Sequence, residues 1–248
     1  MLQKTPWPKL VAGLILVFAL FQWTASALHS DRGQAGALVA TIVVAATLLV
    51  ERALFSSSLG GAARALGLFA PARRGLVGAA VVGLALLLVL PLYMRIARTS
   101  LAMQPGWPWL LPGLFAQAGI AEETLFRGYL FGHLRRGRSF WRAASLAAVP
   151  FTAVHLLLFL TMPWPVAAAS VLLAVILSFP LAHLFELGGG TIWGPAILHF
   201  VVQGAIKSIA IPVESTATLP LVWMAASAVV PFLVFLFPRM RSSGNPVA

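Results

Sequence analysis

Three short patterns in this chain could do chemistry. The run Ala121-Glu122-Glu123-Thr124-Leu125-Phe126-Arg127-Gly128 sets two carboxylates side by side and a guanidinium four residues after the second. Phe151 and His155 make a pair at the same spacing, and His199 and Gln203 make another. Side chains four apart share a helix face, so each pattern aims its two groups the same way. Glu123 and Arg127 can pair, with the acid first as a helix prefers. Glu122 lies about 100° further back around the helix and has no local partner. A carboxylate, two imidazoles and an amide suit hydrolysis by an activated water, which needs a base, oxyanion donors and a proton for the leaving group. In apolar surroundings a carboxylate becomes a stronger base, and Phe151, on the His155 face, can supply part of the apolar wall. No serine sits in a recognisable nucleophile motif and the chain has 0 cysteines. Water is the nucleophile these residues point to, and disulfides, thiolate zinc sites and cysteine nucleophiles are excluded.

Weaker signals accompany these. His183 and Glu186, three apart, could share a metal, but a hydrogen-bonded pair at a membrane edge is the plainer reading. His29 and His133 fall at loop edges and are read as solvated. Tyr129 can donate a hydrogen bond into the site or anchor at an interface. Gly188-Gly189-Gly190 reads as a turn; without a phosphate-loop lysine it has no nucleotide role.

The elements that must position these groups are membrane helices. Hydrophobic residues make up 60% of the 248 and charged residues 9%, against about half apolar and about a quarter charged in a soluble domain. A spanning helix needs about 20 mostly apolar residues. Eight stretches qualify: 10–28, 34–50, 76–92, 108–131, 143–160, 166–185, 191–211 and 221–237. The predicted fold is all-α, a polytopic transmembrane helix bundle of about eight helices. The first stretch is kept as a helix rather than a signal peptide. The longest loop, 51–75, holds a predicted short surface helix over 62–69.

The net charge of +11 is spread between apolar runs rather than gathered in one patch, so membrane topology explains it better than nucleic acid does. With the N-terminus in the cytoplasm, Lys4, Lys9, Arg52, Arg64, Arg73, Arg74, Arg135, Arg136, Arg138, Arg142, Arg239 and Arg241 lie inside. Only Arg32, Arg95 and Arg98 fall in outer loops, while Lys207 can snorkel outward. Twelve against three favours both termini in the cytoplasm. Trp107, Trp109, Trp141, Trp164 and Trp193 fall near predicted span ends, as an aromatic belt does. Glu122 lies thirteen residues before Arg135, His155 thirteen after Arg142 and His199 nine after Gly190. All three are then about 14–20 Å from the cytoplasmic ends at about 1.5 Å per residue. Helices of alternating direction thus place ionisable groups at one depth, which predicts a shared polar pocket open to cytoplasmic water.

The run Glu122-Glu123-x-x-x-Arg127, then Phe151-x-x-x-His155, then His199 four before an amide, resembles the CPBP family. Its members include type II CAAX prenyl proteases and bacteriocin-processing or immunity proteins. The flanking Phe126-Arg127-Gly128-Tyr129-Leu130 and Thr191-Ile192-Trp193-Gly194-Pro195 agree. The likeness covers about Pro108 to Ile211; the first three spans and the last are not specific. It suggests three parts: N-terminal helices and a cytoplasmic loop over 1–107, catalytic core helices over 108–211, and a final helix and tail over 212–248. What the resemblance implies is an intramembrane glutamic endopeptidase. Glu122 would be the base that activates water, with His155 assisting. His199 and Gln203 would stabilise the oxyanion, and Glu123 and Arg127 would hold the site together. The family pattern usually has Asn where this chain has Gln203.

No cofactor or metal is implied, and the partners are a membrane-associated protein or peptide substrate and the bilayer, not nucleic acid. A lipidated CAAX tail is one such substrate. The basic content and compact loops suggest a bacterial inner membrane, where a peptide precursor or the C-terminal tail of a membrane protein fits better. Other classes share these residues: a transporter or proton relay, a scaffold that binds without cleaving, or a zinc protease using His155, His199 and a glutamate. Paired broken helices in two similar halves would mark the transporter, and no such repeat is visible.

Overall fold

Leu10, Leu14, Val17, Phe21 and Thr24 form the buried seam of helix α1 (Trp7–Ala27), at alternating spacings of four and three that keep one face against a partner. Ile15, Leu16 and Trp23 on its other side are exposed, as a lipid-facing surface would be. The computed structural model describes residues 6–28, 32–55 and 58–238. Lys4, His29, Arg239 and Arg241, named above, lie outside those residues.

Helix α2 (Arg32–Phe55) packs on α1. A short α3 (Leu59–Ala65) follows, started by Ser58, whose hydroxyl accepts from the Gly61 amide. Helices α4 (Arg73–Leu87) and α5 (Val89–Ala97) run on as one apolar stretch. Strand β1 (Ala102–Met103) precedes α6 (Trp107–Leu114), which continues as two π-helical segments, Phe115–Ala121 and Thr124–Phe131, and then α7 (Gly132–Arg135). Helix α8 (Phe140–His155) ends in a 3-10 turn, Leu156–Leu160. Then come α9 (Trp164–Leu187), α10 (Trp193–Lys207), strand β2 (Ile209–Ala210) and α11 (Thr218–Val229), which runs into a 3-10 stretch, Val230–Leu236. The two strands pair antiparallel, Ala102 opposite Ala210 and Met103 opposite Ile209, and tie the start of the α6 rod to the end of α10.

Six of these helical stretches are long and apolar enough to cross a membrane: the chain is an integral membrane protein. The predicted count of eight is not matched in that form. The two remaining predicted spans, 108–131 and 191–211, are the π-interrupted rod and the 15-residue α10. Both carry the polar residues, and both are enclosed by other helices. Helix α10 packs on α4, α9 and the first π segment. Close approach there relies on small residues, as membrane helix packing does. A Cβ on Gly194 would lie 3.1 Å from the Gly75 carbonyl oxygen of α4, and one on Gly119 of the first π segment would lie 3.0 Å from the Ala196 carbonyl oxygen of α10.

Apolar side chains form two clusters. One joins α1, α2, the second π segment and α8 around Leu125, Phe126 and Phe151; the other joins α4, α9, α10 and α11 around Leu181, Leu198 and Trp223. The polar groups sit at the seam between them.

Three expectations change in detail. The short helix starts at Leu59, not 62, and lies at the surface with one face packed inward: Leu59, Gly60, Gly61 and Arg64 are exposed, while Ala62 and the following Leu66 are fully buried. His133 is not solvated: it is buried, with Nε2 2.7 Å from a Glu51 carboxylate oxygen, because the α7 turn folds under α2. His183 turns Nε2 to the Phe237 carbonyl at 3.0 Å, while Glu186 takes Arg135. The polar ends of α9 are thus used by neighbouring elements.

Candidate active site

The rod from Trp107 to Arg135 is the spine of the site. In a π segment the backbone bonds five residues back, as the Glu122 amide does to Gln117, which widens the helix locally and often marks a functional site. Glu122 and Glu123 sit between the two π segments, so adjacent carboxylates leave the rod in different directions.

Glu123 points inward and is fully buried. Its Oε1 accepts from Arg127 Nη1 at 3.1 Å and meets His199 Nδ1 at 2.6 Å. Arg127, also buried, lies over the Phe151 ring at 4.2 Å, a cation–π contact that keeps a guanidinium in an apolar interior. Phe151 in turn lies edge-on to His155, centroids 4.8 Å apart. Three elements, the rod, α8 and α10, are thereby locked together.

Hydrogen-bond chemistry assigns the His199 proton. Lys207 Nζ lies 2.6 Å from Gln203 Oε1. An ammonium only donates, so the amide must turn its oxygen to Lys207 and its nitrogen to His199 Nε2, 2.9 Å away. The amide nitrogen donates, so Nε2 accepts and carries no proton. The His199 proton is therefore on Nδ1, where it donates to Glu123. Gln203 keeps a second amide N–H, the one not spent on His199. Lys207, read from sequence only as snorkelling outward, fixes this network. Its place on the Gln203 face, four residues on, was the available signal.

Glu122 is the accessible acid, its side chain 17% exposed, with Oε2 3.9 Å from His199 Nε2. It lines two cavities. One of about 340 Å³ also touches Phe18, Gln117, His155 and Leu158; another of about 310 Å³ touches Ala25, Val39, Gln203 and Lys207. A third, of about 280 Å³ and mostly apolar, runs from His155, His199 and Gln203 along Leu173, Leu177 and Met224. His155 bonds the Phe151 carbonyl through Nδ1 at 2.7 Å. A carbonyl only accepts, so the proton is on Nδ1 and Nε2 is left as an acceptor. Gln117, one π turn before Glu122, lines both Glu122 cavities and was not singled out in the sequence.

The predicted opening toward the end that carries Lys9, Arg52 and Arg135 is not what the structure shows. All three cavities run from mid-bundle to the opposite end, past Leu28, Ala35, Leu158, Met162 and Lys207. The basic end is filled by Leu66, by the Glu51–His133 pair and by the Arg135–Glu186 pair.

Comparison with known families adds the decisive observation. Residues 104–205 match the family described as type II CAAX prenyl endopeptidase, Rce1-like. That segment is a domain of the family. The matched segment starts beside β1 and ends within α10, so it holds Glu122, Glu123, Arg127, Phe151, His155, His199 and Gln203. A domain of that endopeptidase family makes the chain a hydrolase, and it implies intramembrane protease activity. Neither a curated protein nor a solved structure matches the chain.

Proposed function

We propose that this chain is a glutamic endopeptidase of the membrane interior that cleaves a membrane-associated protein or peptide with water held by Glu122 and His155. The observation that carries this reading is the division of labour between adjacent acids. Glu123 is buried and spent on Arg127 and His199, while Glu122 faces the cavities.

The steps follow from these positions. Glu122 takes a proton from water while the water oxygen attacks the peptide carbonyl carbon; His155 Nε2, free to accept, orients that water. The oxyanion accepts from the second Gln203 N–H. Glu122 gives its proton to the leaving nitrogen as the C–N bond breaks, and acid and amine products separate. His199 acts through that amide: its Nδ1 donates to Glu123 and its Nε2 accepts one Gln203 N–H, which leaves the other N–H turned to the oxyanion. The apolar cavity walls exclude bulk water and strengthen these electrostatic interactions.

The test is a comparison of membrane-protein and peptide termini in cells producing the native chain or Glu122→Ala. New termini confined to the native chain are expected. Identical termini at equal abundance of the two proteins would overturn the reading.

A further inference from the structure

The bundle is open at one end and closed at the other, and its charges distinguish the two ends. At the closed end Lys9 donates to the Leu54 carbonyl, the Arg138 guanidinium lies 5.3 Å from the Trp7 ring centre, and the Ala72 amide donates to the Gly188 carbonyl. The first residues of α1, α4 and α8 and the last of α2, α7 and α9 therefore gather there. With them come Lys9, Arg52, Arg64, Arg73, Arg74 and the four arginines between Arg135 and Arg142. At the open end, among the described side chains, only Arg95, Arg98 and Lys207 are basic, and Lys207 is turned into the site. These are short loops close to helix ends, where lysine and arginine bias sets orientation. The closed, basic end is the cytoplasmic one.

The closure is built from backbone and buried side chains rather than from a loose loop. Helix α3 sets the Leu66 carbonyl against Gly128 of the rod, too close for any larger residue there. Leu66 itself is fully buried. Beside it the Gly67 carbonyl accepts from the Ile192 amide at 3.2 Å, and the Phe69 carbonyl accepts from Trp193 Nε1 at 2.8 Å. The linker after α3 is thereby stitched to the start of α10, between the cytoplasmic face and His199. Among the described residues the other end has no such cover. The Leu156–Leu160 turn exposes Leu156, Phe159 and Leu160, and it borders both cavities that reach Glu122.

We infer that the cleft takes its substrate from the extracytoplasmic side: a peptide segment that lies outside the cytoplasm, with apolar residues that enter between α1, α2 and the turn after α8. This deepens the endopeptidase reading above and rests on it for the word substrate. A tail held at the cytoplasmic leaflet would meet α3 and the buried Glu51–His133 pair, not Glu122.

Sidedness can be measured without any proteolysis. The native sequence has 0 cysteines, so it is a label-free background. Single variants Glu122→Cys, Thr161→Cys at the exposed rim and Gly60→Cys, where a side chain meets open space, are exposed in intact bacterial cells to a small, charged, membrane-impermeant thiol reagent. Glu122→Cys and Thr161→Cys are expected to label in intact cells, and Gly60→Cys only after permeabilisation. Should Glu122→Cys disturb folding, Thr161→Cys alone carries the comparison with Gly60→Cys. Labelling of Gly60→Cys in intact cells, with Thr161→Cys reached only after permeabilisation, would overturn the inference. That result would leave the endopeptidase reading standing. Conversely, unchanged termini in the Glu122→Ala comparison would remove the endopeptidase reading, whatever the labelling shows.

Discussion

Glu122 and Glu123 are chemically identical neighbours with opposite surroundings, and that difference organises the site. Glu123→Gln removes the charge that faces Arg127 and His199 inside the membrane. Breaking a buried pair this way costs about 3–5 kcal/mol, so this variant is expected to lose thermal stability in detergent as well as activity. Gln203→Leu removes one oxyanion donor and should lower turnover by about 10²–10³-fold with little change in substrate affinity; Gln203→Asn should keep part of the activity. Native turnover by Gln203→Leu would show that the amide only joins helices. Lys207 is a positioning residue. Its loss lets the Gln203 amide flip, at the cost of a charged hydrogen bond of about 1.5–3 kcal/mol. Lys207→Met should therefore reduce kcat more than tenfold, roughly, leave KM near native, and move the ring-nitrogen NMR shifts of His199. A drop in stability with unmoved His199 shifts would contradict the tautomer assignment. At this scale much was legible in advance. Spacing of four put Arg127 on Glu123, and the Glu123–Arg127 pair is in place. Spacing could not show that Glu123 also binds His199, since that contact spans 76 residues and depends on how α10 meets the rod.

The rod shows what an element adds to its residues. Apolar runs located it, and Trp107–Arg135 is where the stretch 108–131 led one to look. Its π-helical turns were not legible, because hydrophobic periodicity assumes 3.6 residues per turn and reports nothing about local widening. Tight packing accompanies them: a Cβ at Gly119 would lie 3.0 Å from the Ala196 carbonyl, and one at Gly128 would strike Leu66 backbone. Gly128→Ala adds a methyl where backbone cannot yield. It is expected to cost about 1–3 kcal/mol, read as a lower melting temperature in detergent, with α3 displaced from the rod. Unchanged melting would mean that the contact relaxes freely. Short α10 escaped its predicted length for a related reason. It is enclosed by α4, α9 and the rod and need not match the thickness of lipid.

For the molecule as a whole, composition was sufficient to place the chain in a membrane, and six long apolar helices agree. Depth arithmetic was weaker. Counting about 20 Å from the basic end located the polar groups along the bundle axis but could not tell which end was plugged. Leu66 and the Glu51–His133 pair decide that, and neither contact is visible in the order of residues. Metal dependence also belongs to this scale. The His199 ring nitrogens are both occupied by protein partners, so chelators are expected to leave cleavage in detergent unchanged. Stoichiometric zinc whose removal stops cleavage and whose return restores it would support a metalloprotease instead. Most direct is the rate at which purified protein cleaves a peptide identified from the native-specific termini, measured for the native chain and Glu122→Gln at equal folded concentration. Loss of the general base is expected to slow cleavage by about 10²–10⁴-fold. A Glu122→Gln protein that cleaves at the native rate would contradict the assignment of Glu122 as the residue that activates water.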